Sequence, residues 1–142
     1  MSTWLQTEAE RAFGRATRSR RRAQLLCRLR RRGCDCCERL SVAEPAATGR
    51  RAGRGVREIP LERITGTLEP HRAAHFDPEF RPAATVRERW QRLWAAEARG
   101  AVLPPISVVA AGEGYAVRDG HHRVSVALAR GAVTIDALVS GS

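Results

Sequence analysis

A short polar run near the carboxyl end contains the residue types best suited to chemistry: Asp119, Gly120, His121, His122 and Arg123. It follows a strand-like stretch and precedes an Ala- and Val-rich helical pattern, so it lies at a predicted strand-to-helix turn. The first N–H groups of a helix lack partners within the helix and carry the positive end of its dipole. A guanidinium and two imidazoles in the same turn therefore favour a bound anion such as phosphate.

The same run also has a purely structural interpretation. Asp119 can cap the helix, Arg123 can pair with Asp119 or a nearby Glu, and the two histidines can be ordinary surface residues. Short strand-Asp-Gly-helix motifs have low specificity. From the residues alone, both interpretations stay open.

The elements that must position this turn follow from the apolar patterns. They are a short strand over 57–64, a helix over 83–99, a β-hairpin over 106–109 and 115–118, a helix over 121–130 and a final strand over 133–139. Pro60 restricts the first strand to a sheet edge because proline has no N–H to donate. This order predicts a small α+β domain, a mixed sheet with packed helices.

Charged residues are distributed unevenly along the chain. Residues 1–57 carry 15 arginines against 5 acidic residues, whereas residues 58–142 carry 10 of each. A basic Arg-rich helix is predicted over residues 1–32, and the Gly-, Ala- and Arg-rich stretch 33–57 is typical of a linker before a folded domain over residues 58–142. Because like charges repel along such a helix, we expect its arginines to face either water or a polyanion such as DNA.

Several classes of protein are excluded by simple patterns. No apolar run approaches the roughly 20 residues of a membrane span, and no secretory signal pattern is visible, so we expect no membrane partner and a cytoplasmic location. The four cysteines, Cys27, Cys34, Cys36 and Cys37, crowd into eleven residues. Their spacing is typical of neither a disulfide framework nor a common zinc site, so we expect reduced thiols and no metal site.

The run from Asp119 to Gly131 resembles the signature of the ParB/sulfiredoxin superfamily, in which a strand ends in Gly and a polar triplet with a final Arg precedes an Ala-rich helix. Residues 59–64 are similar to the opening strand of the ParB amino-terminal domain. The helix around Trp90 and residues 100–108 are similar to a later segment of that domain, in which a helix is followed by Gly, Pro and a strand. Over about residues 58–139, the chain most resembles a stand-alone ParB amino-terminal domain, also called a ParB-like nuclease domain.

This resemblance implies a nucleotide ligand. Partition proteins bind and hydrolyse CTP, sulfiredoxins use ATP and some free-serine kinases use ADP, so we expect one of these nucleotides, with or without Mg²⁺. The resemblance makes the following residues candidates for phosphate contact: Gly120, His121, His122, Arg123 and, at a second position, Arg72. It also makes Asp119 and Glu69 candidate catalytic or magnesium-related carboxylates in a kinase-like chain.

Some residues depart from the family pattern, and these departures restrict which activities of the family we expect in this chain. Sulfiredoxin chemistry needs a nucleophilic Cys where this chain has His121, so we do not expect that activity. The chain ends directly after the last predicted strand, so we expect no centromere loading of the partition type, and no carboxylate cluster suggests a two-metal nuclease.

Three hypotheses about function remain. The first is a ParB-like nucleotide- or phosphate-binding domain that associates with DNA through its Arg-rich segment, as in chromosome partitioning. The second is a small nucleotide-dependent phosphotransferase or nucleotide hydrolase that uses Asp119 or Glu69. The third is an interaction module that uses the fold without a ligand. Whether the chain is an enzyme stays open.

Overall fold

The computed structural model describes residues 3–30, 38–44 and 55–140. Its helices and strands are α1 (Thr3–Arg30), β1 (Ser41–Val42), β2 (Val56–Pro60), β3 (Ile64–Thr67), α2 (Arg87–Ala98), β4 (Ile106–Ala111), β5 (Gly114–Asp119), α3 (His121–Ala129) and β6 (Thr134–Ser140). Short 3₁₀ turns occupy Leu61–Arg63, Pro70–His75 and Ala84–Val86. The predicted α+β class, a mixed sheet with packed helices after a basic amino-terminal helix, is confirmed.

The six strands form one sheet in the order β1-β3-β5-β4-β6-β2. The pairs β4–β5 and β2–β6 are antiparallel, and the other three neighbouring pairs are parallel. The predicted hairpin is present as β4 and β5, at the centre of the sheet. Strand β2, which ends at Pro60, lies at the edge, as predicted from the missing N–H of proline.

The loop before α2 supplies two large side chains to the core. Phe76 and Phe80 are both buried, although no hydrophobic periodicity marks their part of the sequence. The Asp77 carboxylate accepts N–H groups from Glu79 and Arg81 at 3.0 and 2.8 Å, which fixes the loop. Phe76 is thereby held next to the start of α3.

Helix α1 packs on α2 and α3 through its apolar face. Phe13 is 1% exposed and meets the Trp90 ring edge-on, with ring centroids 5.4 Å apart. Trp90 is itself fully buried and its Nε1–H donates to Ser125 Oγ on α3 at 2.8 Å. Val126 completes this cluster. The basic helix therefore shares buried contacts with the predicted domain, and most of its arginines are exposed, whereas Arg20 is partly buried and donates to the carbonyl oxygen of Glu38 at 3.1 Å.

Two parts of the stretch predicted as a linker, residues 33–57, belong to the sheet. Leu40 is buried, β1 pairs in parallel with β3, and β2 begins at Val56. A two-residue strand is too short to produce a periodic pattern, which explains why the sequence did not reveal β1. The remainder of the predicted linker, residues 33–37 and 45–54, lies outside the described residues.

The cysteine prediction is wrong for one residue, because Cys27 is disulfide-bonded. Cys34, Cys36 and Cys37 lie outside the described residues. Among the helices of the described part of the chain, none is long and apolar enough to cross a membrane.

Candidate anion-binding site

The predicted strand-to-helix turn is present where β5 ends at Asp119 and α3 begins at His121. Gly120 connects them with a φ of 108°, a left-handed conformation that favours glycine. A Cβ at this position would lie 2.5 Å from Cγ2 of Ile106, so the space also requires glycine. No side chain caps the helix start, which leaves its first N–H groups open.

A cavity of about 330 Å³ opens at this turn. It is lined by all seven predicted site residues: Glu69, Arg72, Asp119, Gly120, His121, His122 and Arg123. Four residues that the sequence did not single out also line it: His71, Arg89, Leu93 and Arg118. The predicted candidates are therefore brought together, and the set of cations around them is larger than predicted.

Three of the lining arginines come from different elements. Arg72 belongs to the 3₁₀ turn Pro70–His75, Arg89 to α2 and Arg118 to β5. None of the three forms an ion pair within residues 3–30, 38–44 and 55–140, and Arg118 only donates to Ser140 Oγ at 3.4 Å. The cavity therefore carries three guanidinium groups that have no ion-pair partner among the described residues, alongside the carboxylates of Glu69 and Asp119.

Arg123 has a different role from these three arginines. Its Nη1 donates to the carbonyl oxygens of Pro104 and Pro105 at 2.6 and 3.1 Å, and its Nη2 donates to Asp119 Oδ2 at 3.0 Å. The Arg123–Asp119 pairing that the sequence left open is thus present. Arg123 therefore connects the segment before β4 to α3. Because its guanidinium already makes these three bonds, its main role is to position the site.

The two histidines are not surface residues, because they are only 4% and 7% exposed. The ring of His121 stacks on Phe76 with centroids 6.3 Å apart, and His122 meets the same ring edge-on at 5.3 Å. His121 Nε2 shares a hydrogen bond of 2.6 Å with Thr67 Oγ1, which also accepts the N–H of Glu69 at 2.9 Å. These bonds connect the loop after β3 to the start of α3.

Both histidines are neutral at pH 7. The pKa of His121 is lowered from 6.5 to about 4, mainly by burial and further by Arg72 and His122. The pKa of His122 is also lowered to about 4, by burial first and then by Arg89 and Arg72. Neutral imidazoles donate hydrogen bonds through their ring N–H groups, so at pH 7 these histidines can contact a ligand as neutral donors and not as cations.

Folding stability is expected to fall as the pH drops from about 6.5 to about 4. In this window the unfolded chain, with histidine pKa values near 6.5, binds protons that the folded chain excludes, so acid favours unfolding. Urea unfolding at pH 7.5, 6 and 5 measures the loss. His122→Gln should flatten the pH dependence, and an unchanged slope in this variant would contradict the assignment.

Comparison with known proteins adds a distant structural likeness. No protein-family model matches the chain, and no curated protein matches it. The structure is similar to the crystal structure of sulfiredoxin from Arabidopsis thaliana, with a TM-score of 0.45 and 20% sequence identity, covering 62% of this chain and 86% of that chain. At this level of similarity we draw no conclusion from the likeness about family, ligand or activity.

Proposed function

We propose that this protein is a ParB-like domain that binds the phosphate groups of a nucleotide at the turn between β5 and α3. The observation that carries the proposal is the convergence of Arg72, Arg89 and Arg118 on the cavity at the open start of α3. Phosphate oxygens accept hydrogen bonds both from helix-start N–H groups and from guanidinium groups. CTP, ATP and ADP, with or without Mg²⁺, are the nucleotides to be compared.

Electrostatics favours an anion over an empty cavity. Asp119 is paired with Arg123, which leaves the carboxylate of Glu69 as the one acidic group on the cavity, among the described residues, against Arg72, Arg89 and Arg118. Cations held together around the positive end of a helix repel one another unless a negative group lies among them. Neutral histidines in the first turn keep the helix start from becoming more positive, and they leave ring N–H groups able to donate to phosphate.

Arg89→Gln is expected to weaken nucleotide binding roughly 10- to 100-fold, because a charge-assisted hydrogen bond contributes about 1.5–3 kcal/mol. Isothermal titration with each nucleotide measures the change. The matched control is Arg92→Gln, which removes the same charge from the same helix at a residue 68% exposed and outside the cavity. Equal effects of the two substitutions, or no nucleotide binding by the unmodified protein, would overturn the proposal.

A second candidate function is phosphotransfer or nucleotide hydrolysis. It is favoured by the presence of two carboxylates, Glu69 and Asp119, on the same cavity as the arginines. Phosphoryl transfer needs mainly positioning and charge neutralisation, which carboxylate-bound Mg²⁺ and arginines supply. Product formation with Mg²⁺ that is lost in Glu69→Gln would extend binding to catalysis; binding without turnover would restrict the function to binding.

The proposal includes association with DNA through α1, in the cytoplasm. Arg15, Arg18, Arg21 and Arg22 are exposed and form no ion pair within the part of the chain that the structure describes. Because Phe13 and its neighbours hold the other face of α1 on the domain, these arginines form a fixed row rather than a loose tail. Such a row suits non-specific contact with nucleic-acid phosphates.

A further inference from the structure

We propose that Thr67 is a positioning residue of the nucleotide site: its hydroxyl donates to His121 Nε2 and thereby fixes His121 in the tautomer that carries its proton on Nδ1. This tautomer presents an N–H donor to the cavity, where it suits a phosphate oxygen. Thr67 does not line the cavity itself, so its effect passes through His121. The contact with phosphate rests on the proposed nucleotide binding, whereas the position of the proton is a property of the protein alone.

The Thr67 hydroxyl has few partners, because the side chain is fully buried at the end of β3. It accepts the N–H of Glu69 at 2.9 Å and lies 2.6 Å from His121 Nε2. Two carbonyl oxygens are farther away, that of Val117 at 3.4 Å and that of Glu69 at 3.5 Å. Hydrogen bonds donated by a hydroxyl group usually measure about 2.5–3.0 Å. Among the described residues, His121 Nε2 is therefore the acceptor at ordinary distance for the hydroxyl proton.

The opposite tautomer would leave that proton without a good acceptor. If Nε2 carried the ring proton, Thr67 would receive two N–H donors, and its own proton would have to turn to one of the distant carbonyls. Both carbonyls already accept a backbone N–H at 2.9 Å, from Leu68 and Arg72. Buried polar groups without a partner are rare and costly. Since its lowered pKa keeps His121 neutral at pH 7, the ring proton lies on Nδ1.

The other ring nitrogen of His121 is open to the cavity. Nδ1 forms no hydrogen bond with the part of the chain that the structure describes, and it is not one of the buried unpaired polar atoms there, which include His75 Nδ1. It is therefore accessible to water, and His121 lines the cavity. Stacking on Phe76, with the two ring planes 15° apart, holds the imidazole in this orientation.

This arrangement determines which kind of ligand atom the turn accepts. With the proton on Nδ1, the imidazole adds a donor to those of the helix start and the arginines, so the ligand must supply acceptor oxygens. The opposite tautomer would place a lone pair there, which repels a phosphate oxygen. Because Thr67 also accepts the N–H of Glu69, the same hydroxyl holds the loop that carries this candidate carboxylate.

The position of the proton can be measured without any ligand. Two-bond ¹H–¹⁵N correlation spectra at pH 7.5 are expected to show Nδ1 of His121 protonated and Nε2 unprotonated, with the signal assigned by its absence from His121→Gln. Thr67→Val, which keeps the shape and removes the hydroxyl, is expected to lose this pattern, and Thr67→Ser to retain it. A proton on Nε2 in the unmodified protein, or an unchanged pattern in Thr67→Val, would overturn the proposal.

Titration with nucleotide tests the contact with phosphate. Thr67→Val is expected to weaken binding roughly 3- to 10-fold, the effect of one neutral hydrogen bond, and Thr67→Ser to restore most of the affinity. Thr65→Val is the matched control, because it makes the same change on the same strand at an exposed residue outside the cavity. Equal affinities of Thr67→Val and Thr65→Val would refute the role of Thr67 in binding.

Two further comparisons keep folding and the proposed function apart from this result. Circular dichroism shows whether each variant is folded, and if Thr67→Val is not, the spectrum of the unmodified protein still decides where the proton lies. A protein that binds no nucleotide but carries the proton on Nδ1 would refute the proposed function and support the tautomer. A protein that binds nucleotide with the proton on Nε2 would refute the role of Thr67 alone.

Discussion

Replacing Gly120 with alanine is expected to lower the free energy of unfolding by about 2–4 kcal/mol and to abolish nucleotide binding. Two costs combine in this value. A φ of 108° disfavours any side chain, and the added Cβ would lie 2.5 and 2.8 Å from Cγ2 and Cβ of Ile106. Because Ile106 is fully buried at the start of the central strand β4, the turn and the helix start must shift instead.

Gly131→Ala is the control that separates these two costs. Gly131 follows α3 with a φ of 79°, but nothing lies within 4 Å of a Cβ built there. Its substitution is therefore expected to cost only about 1 kcal/mol, the backbone contribution alone, and to leave binding unchanged. Urea unfolding and titration of both variants give the comparison, and equal costs would show that the close approach to Ile106 is unimportant.

Changing Arg15, Arg18, Arg21 and Arg22 together to glutamine is expected to remove nearly all affinity for DNA. Four phosphate contacts predict that the affinity of the unmodified protein falls on the order of 100-fold between 50 and 200 mM salt. Fluorescence anisotropy with a labelled duplex, repeated across this range, measures both quantities. Binding that is insensitive to salt, or that survives the fourfold substitution, would rule out the nucleic-acid contact.

The matched control changes Arg39, Arg57, Arg92 and Arg99 to glutamine, since these residues are exposed and carry the same total charge away from α1. It should retain most of the affinity. Deleting the whole basic segment would be a poorer test of DNA contact than these substitutions. Loss of Phe13 would expose Trp90 and Val126 to water, so such a deletion would lower stability as well as remove arginines.

Local sequence patterns were sufficient to predict the helices and strands that surround the turn. The hairpin, the helix over α2 and the strand-to-helix turn each have signals within a few residues, namely alternation, three-to-four spacing and a glycine where a strand must stop. The edge position of β2 followed from Pro60 alone. The predicted grouping of Asp119 to Arg123 with Glu69 and Arg72 came from family resemblance, and the structure places these residues on one cavity.

What the sequence by itself determined was therefore the polar turn, the elements on either side of it and the concentration of arginine in the first segment. Only the tertiary structure decided which of those charges meet. Arg89 and Arg118 reach the site because α2 packs on α3 and β5 lies inside the sheet. Burial against Phe76 decides that His121 and His122 are neutral, and packing of Phe13 on Trp90 decides that α1 is held on the domain. These outcomes depend on contacts between distant parts of the chain, which no local pattern encodes.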